Sequence, residues 1–282
     1  MKIIDHRGEI ELSGVSDFSI EKTLECGQCF RWESESSGAY TGVAFGRKVR
    51  LRNQGCSIFI TCSIEDFEAV WRSYFDLDRN YGEIRRKLSI DRFMQCATVF
   101  GAGIRILKQD RWEALCSFIL SQNNNIPRIK KIIDTLCREF GEACYFENKL
   151  YSTFPSVATL ALLDVEHLAP LRCGYRAAYI INAAKMINNN SLDLDALSYY
   201  TPEKARTELI KLHGIGDKVA NCVLLYGLHM LDVFPLDVWM KRALAQFFKP
   251  DFDPVVFSPY AGIAQQYIYH FIRNYTERPH VT

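Results

Sequence analysis

Leu209-Ile210-Lys211-Leu212-His213-Gly214-Ile215-Gly216-Asp217-Lys218-Val219-Ala220-Asn221-Cys222 is the stretch that decides the fold. It reads as a helix, a tight glycine turn and a second helix. Val219, Cys222, Val223 and Tyr226 recur at i, i+3, i+4 and i+7, so the second helix buries one face. Gly214 and Gly216 are expected to take backbone angles closed to other residues and to leave the turn amides uncovered. Uncovered amides at the positive end of a helix make a phosphate site, and such a hairpin can grip a DNA backbone without reading its sequence.

Lys218 breaks a local preference. It lies in the first turn of the second helix, where the macrodipole disfavours a cation by roughly 0.3–1 kcal/mol. A residue that violates a local rule without visible compensation often marks a functional site. The same field favours the neutral amine, the nucleophilic form. The plainer role is a solvated or phosphate-contacting lysine. Asp237 follows nineteen residues later, in Phe234-Pro235-Leu236-Asp237-Val238-Trp239. Pro235 keeps Phe234 extended, and Asp237 precedes the apolar pattern Val238, Ala243, Leu244, Phe247, so it is placed to cap a helix.

The run from Leu212 to Leu244 resembles the helix-hairpin-helix, Gly/Pro-Asp signature of the DNA base-excision glycosylases. In that superfamily a hairpin lysine marks the bifunctional branch, which cleaves the glycosidic bond and then nicks the strand. The resemblance implies Lys218 as nucleophile and Asp237 as catalytic carboxylate. A glycine-turn hairpin alone also serves ligases and other DNA-binding proteins without chemistry; the hairpin with both residues at this spacing is the specific signal.

The composition is that of an ordinary globular protein: 282 residues, 48% hydrophobic and 24% charged, with formal net charge +1. The global charge does not call for nucleic acid, so local clusters such as Arg128, Lys130 and Lys131 must supply any attraction. Lys2, Asp5, His6 and Arg7 interrupt any signal-peptide core, and no apolar run reaches the roughly 20 residues of a membrane span. A reducing, intracellular compartment and no membrane partner are expected, with the ten cysteines mostly buried thiols. Cys26-Gly27-Gln28-Cys29 has redox spacing but sits in a strand-like run.

The expected fold class is α+β, mainly α: an N-terminal antiparallel β-sheet region with helices, then a helical glycosylase domain. Phe30, Trp32, Tyr40, Val43, Val49, Leu51, Ile58 and Ile60 fall in short alternating runs within 1–62. Helices are expected over 64–75, 80–88 and 90–100. The second domain begins with a helix capped by Asp110; Ser121-Gln122-Asn123-Asn124-Asn125 ends it, and Asn125 caps the next, with Pro127 in its first turn. The domains are set at 1–108 and 109–282, with the hairpin over about 203–228, a last helix over 259–274 lining the base pocket, and a loose tail beyond Arg278.

No cysteine follows Cys222, which argues against members that carry an iron–sulfur loop after the aspartate. Gly27-Gln28-Cys29-Phe30-Arg31-Trp32, Ser121 through Arg128, Gly174-Tyr175-Arg176-Ala177 and Pro259 through Gln265 are similar to 8-oxoguanine DNA glycosylases, in order and over nearly the whole chain. That resemblance implies double-stranded DNA carrying oxidised guanine as the partner. A backbone carbonyl at Gly27 would accept from the N7–H that distinguishes 8-oxoguanine from guanine. Gln265 would read the pairing edge, and Tyr269 and Cys222 would flank the base. Such enzymes flip the base out. Asn123 would fill the hole, Arg128 and Arg176 would serve the opposite base, Tyr175 would wedge the stack, and Gly214 and Gly216 would hold a phosphate.

Cys29, Trp239 and Tyr269 stand where the eukaryotic pattern has Ser, His and Phe. No metal or organic cofactor is implied, although the hairpin can hold a structural cation. A monomer is implied, in the nucleoid of a bacterium or the nucleus of a eukaryote. Two other readings stay open at this stage: the same class acting on a formamidopyrimidine or oxidised pyrimidine, and a non-catalytic DNA clamp.

Overall fold

The computed structural model describes residues 1–274 and has the expected α+β, mainly α class. The tail beyond Arg278 lies outside the described residues. The chain forms two compact units, each discontinuous in sequence. One holds residues 1–28, 51–108 and the stretch from 229 onward; the other holds residues 29–50 and 109–228. Segments from both sides of the 108/109 boundary contribute to each unit. The C-terminal helix Ala261–Asn274 packs on the helix Arg92–Phe100 and returns the end of the chain to the first unit.

The strands are β1 (Lys2–Asp5), β2 (Ile10–Ser13), β3 (Trp32–Ser34), β4 (Tyr40–Ala44), β5 (Arg47–Gln54), β6 (Ser57–Ile60), β7 (Ala143–Phe146) and β8 (Lys149–Ser152). In the first unit β1 pairs with β2, β2 with β6, and β6 with Leu51–Gln54 of β5, all antiparallel. Ile10 faces Ile60 and Leu12 faces Ile58, and all four are buried, as period-two alternation requires. Helices Tyr81–Leu88 and Arg92–Phe100 lie close to their expected places. The expected helix over 64–75 also forms, but widens to a π-turn at Phe67–Trp71 between short α segments.

A helix also forms at Ile20–Glu25, where the sequence was read as β. Ser19 caps it and Ile20 and Leu24 bury its i, i+4 face. Cys26-Gly27-Gln28-Cys29 is consequently the turn that leaves this helix rather than part of a strand, and Gly27 takes φ +85° there. Gln28 is fully buried and holds the turn down. Its Nε2 donates to the carbonyls of Thr23 and Arg105, both at 2.8 Å, and its Oε1 accepts from the Leu107 amide at 2.9 Å.

In the second unit β3 pairs with β4, and Trp32 is buried against Gly42 so closely that a Cβ there would lie 2.2 Å from the indole. The helices are Arg111–Ser121, Ile126–Phe140, Arg176–Asn188, Pro202–Ile210 and Asp217–Tyr226, with a short one at Val157–Ala161. Asp110, Asn125 and Thr201 cap the first, second and fourth through their side chains, the first two as read from the sequence. The β7–β8 hairpin was not foreseen. Its turn residues Glu147 and Asn148 both have positive φ, the two-residue geometry that Asn-Gly or Asp-Gly normally announces.

Replacing Gln28 by Leu keeps the volume but strands the buried Leu107 amide and Arg105 carbonyl, while the Thr23 carbonyl keeps the Cys26 thiol. We expect Gln28→Leu to lower unfolding stability by about 2–3 kcal/mol, since each buried polar group left unmet costs about 1–3 kcal/mol. Urea denaturation followed by circular dichroism checks this, and an unchanged midpoint would show that the three bonds are not holding the turn.

Candidate catalytic and DNA-binding site

The hairpin joins Pro202–Ile210 to Asp217–Tyr226 through Lys211–Gly216. Only one of its glycines needs its conformational freedom. Gly214 has φ +81°, and a Cβ on it would lie 2.3 Å from the Tyr179 ring. Gly216 caps the second helix at φ −105°, an angle any residue adopts, and a Cβ there would meet nothing within 4 Å. The expectation of special angles at both is corrected at Gly216, whose missing side chain instead leaves the helix N-terminus uncovered. The turn is anchored to the helix Arg176–Asn188: the His213 amide donates to Asn182 Oδ1 at 3.2 Å, and the His213 ring meets Tyr179 edge-on at 5.0 Å.

Lys218 follows directly, half-buried in the first turn of the second helix. Its Nζ donates to Ser121 Oγ at 3.2 Å and lies 5.6 Å from the centre of the Phe118 ring. Ser121 Oγ in turn donates to the Phe118 carbonyl at 2.8 Å, which points its lone pairs at the amine. Phe118 is stacked on Tyr226 at 5.2 Å, so the platform is rigid. Among the described residues, the partners of the ammonium are a hydroxyl and a ring, not a carboxylate. Cys222 is buried one turn further along the same helix. Ser121 and Phe118 were not singled out from the sequence; the only signal was that Ser121 opens the asparagine run.

In that run Asn124 and Asn125 are occupied with backbone. Asn124 donates to the Leu120 carbonyl and accepts from the Asn125 amide, and Asn125 caps the helix Ile126–Phe140. Asn123 is exposed with φ +45°, so it is the asparagine presented to a partner. Arg176 is buried beside this run. It is 4% exposed, and its guanidinium donates to the carbonyls of Gln122, Asn123 and Cys173. A buried guanidinium must fill its fork, and here it props the Asn123 loop. Tyr175 is exposed with its ring 4.5 Å from the Arg176 guanidinium, and exposed Arg128 donates to the Arg172 carbonyl at 3.0 Å.

The first unit holds the remaining candidates. Asp237 caps the helix Val238–Phe247, accepting from the Met240 amide at 2.8 Å, so its carboxylate is held in one orientation. Gln265 and Tyr269 sit at i and i+4 on the C-terminal helix. Gln266 of that helix donates to the Cys26 carbonyl at 3.0 Å, tying it to the turn that carries Gly27. Gln265 is 5% exposed, and its Oε1 is buried with no hydrogen-bond partner among the described residues. Buried acceptors are nearly always satisfied, so an orphan points to a ligand donor. Burial pushes the Tyr269 phenol up; Arg273 opposes this, while the charge of Asp237 adds to it, so carboxylate and phenol feel one another.

Comparison with known proteins places this arrangement in a class. Residues 116–254 match the HhH-GPD superfamily of base-excision DNA repair proteins, and residues 12–115 match the N-terminal domain of 8-oxoguanine DNA glycosylase. The N-glycosylase/DNA lyase of Saccharomyces cerevisiae is 32% identical over 253 residues, covering 80% of this chain and 67% of that protein. A structure of MBOgg1 in complex with a low-affinity DNA ligand superposes with TM-score 0.92 at 41% identity, covering 96% of this chain and 98% of that one. The 8-oxoguanine glycosylase/lyase of Clostridium acetobutylicum, bound to duplex DNA with cytosine opposite 8-oxoguanine, gives 0.91 at 33%, covering 97% and 98%. The chain belongs to the 8-oxoguanine DNA glycosylase family.

The two hairpin glycines are expected to separate when mutated. Gly214→Ala must move the turn off Tyr179 and should lower both stability and duplex affinity. Gly216→Ala should leave the unfolding midpoint unchanged and weaken duplex binding alone, by covering the helix N-terminus. Fluorescence anisotropy with labelled duplex, run beside thermal unfolding, checks both; equal effects of the two would contradict the geometry.

Proposed function

We propose that Lys218 and Asp237 perform the chemistry of this enzyme. The chain is a DNA glycosylase with abasic-site lyase activity, acting in base-excision repair on 8-oxoguanine in duplex DNA. The observation that carries the residue assignment is the amine of Lys218 at the uncovered hairpin N-terminus, half-buried and held, among the described residues, by Ser121 and the Phe118 ring.

In this reading the amides around Gly214 and Gly216 take a phosphate beside the lesion. The extruded base offers N7–H to the Gly27 carbonyl and its pairing-edge donors to Gln265, whose Oε1 is left open for them. Tyr269 and Cys222 flank the ring. Lys218 Nζ bonds to C1′ as the bond from C1′ to N9 breaks, and the base leaves with the electron pair and takes up a proton. Asp237 stabilises the positive charge that develops on the sugar. Ring opening gives the Schiff base, loss of a 2′ proton breaks the bond from C3′ to oxygen, and water releases Lys218. Asn123 fills the vacated stack, with Arg128 and Tyr175 at the orphaned partner. Such an enzyme works where the chromosome is, in a nucleoid or a nucleus.

Borohydride is expected to trap a covalent adduct between Lys218 and an 8-oxoguanine duplex, and Lys218→Gln to trap none. Asp237→Asn should slow base release by about a hundredfold or more while duplex affinity survives. An adduct with the Gln variant, or undiminished turnover with the Asn variant, would overturn the respective assignment.

A further inference from the structure

Two positions at which this chain departs from the eukaryotic pattern, Trp239 and Tyr269, touch the same third residue. Arg273 Nη1 donates to the Tyr269 phenol oxygen at 2.8 Å. The same guanidinium lies 5.5 Å from the centre of the Tyr269 ring and 5.8 Å from that of Trp239. Arg242 lies 5.8 Å from the Trp239 ring as well. Trp239 follows Asp237 by two residues, in the first turn of the helix that Asp237 caps. Tyr269 and Arg273 are one turn apart on the C-terminal helix.

The chemistry of the phenol explains why a third residue is needed. A phenylalanine at 269 would present an apolar face with nothing to satisfy. A tyrosine carries a hydroxyl into a half-buried position, and a desolvated hydroxyl needs a partner. Arg273 supplies one with a fixed planar fork, and it is held in turn by its contact with Trp239. A histidine at 239 would offer a smaller face and, when protonated, a like charge to two arginines. Burial already pushes the Tyr269 phenol up, so at neutral pH it stays a neutral hydroxyl that the guanidinium can hold.

We propose that Arg273 is a positioning residue for base selection, fixing the ring plane of Tyr269 through its hydroxyl, with Trp239 as the surface that keeps the guanidinium in place. It rests on the reading of Tyr269 as the stacking face for the extruded base. Arg273 is exposed, so its replacement leaves the core alone. The rotation of Tyr269 that its loss permits affects only steps in which a base occupies the pocket. Excision depends on that pose; cleavage at a preformed abasic site does not.

The test is single-turnover kinetics of the full chain on an 8-oxoguanine duplex and on the same duplex with a preformed abasic site. Arg273→Ala should slow excision about tenfold, the size expected for one half-buried hydroxyl losing its partner. Cleavage of the abasic duplex and the thermal midpoint should not change. Adding Tyr269→Phe to Arg273→Ala should recover most of the loss, because the hydroxyl that needed a partner is gone. Excision unchanged in Arg273→Ala, an equal loss on both duplexes, or no recovery in the double variant would overturn the proposal. Tyr269→Ala separates this from the reading beneath it: full excision by that variant removes the stacking role itself, whereas impaired excision with a fully active Arg273→Ala removes only the positioning role.

Discussion

The close approach of Gly214 to the ring of Tyr179 governs the second unit. No side chain fits between them, and the positive φ at Gly214 turns the chain sharply enough for the next helix to start three residues later. That start sets the direction of the uncovered amides and the place of Lys218 in the first turn. Tyr179 also packs against His213 and Tyr175, so a single ring links the hairpin turn to the base of the asparagine loop. The hairpin turn and the exposed Asn123 loop thereby lean on the same helix, Arg176–Asn188. A binding surface made of loops gains precision when the loops lean on a rigid helix.

The polar groups follow the same economy. Arg176, buried, spends its fork on the carbonyls that shape the asparagine loop, and Gln28, buried, does the equivalent for the turn carrying Gly27. Each fixes a loop whose own residues must face a ligand and so cannot satisfy themselves. Gln265 is the converse case. Its side chain is as buried as these two, yet its Oε1 has no partner among the described residues. The Tyr267 hydroxyl and Gln122 Nε2 are also buried without a partner among the described residues, and of these atoms Oε1 is the one on the residue proposed to read the base.

Much of this could be read from the residues. The caps at Asp110, Asn125 and Asp237 were legible because short-range hydrogen bonds decide them, and the helical faces were legible from apolar spacing. The helix Ile20–Glu25 was not, because six residues within a β-rich stretch give too little periodicity to outweigh their surroundings. The β7–β8 hairpin was missed because Glu147 is an unusual occupant of a positive-φ turn. Lys218 and Asp237 were visible because each breaks or satisfies a local rule. The contacts of Ser121 with Lys218 and of Arg176 with the asparagine loop join residues far apart in sequence, and no local pattern encodes those. The discontinuous units escaped for the same reason: the return of Ala261–Asn274 to Arg92–Phe100 is a matter of packing, not of composition.

The weakness of what holds Lys218 is itself informative. A cation in the first turn of a helix is disfavoured by roughly 0.3–1 kcal/mol. The Phe118 ring, near the outer limit for such a contact, returns about 0.5–1 kcal/mol. The long hydrogen bond to Ser121 adds a similar amount, about 0.5–1.5 kcal/mol. The contacts exceed the dipole cost by only about 1 kcal/mol, so the amine is oriented without being tightly bound. A carboxylate at salt-bridge distance would have fixed the charge and added its own separation to the barrier for attack on a sugar carbon. A hydroxyl and a ring direct the side chain to one place, leave its proton exchangeable and let it move by an ångström or two at little cost. For the residue proposed to form and later break a covalent bond in every turnover, that balance of small forces suits the task better than a strong one.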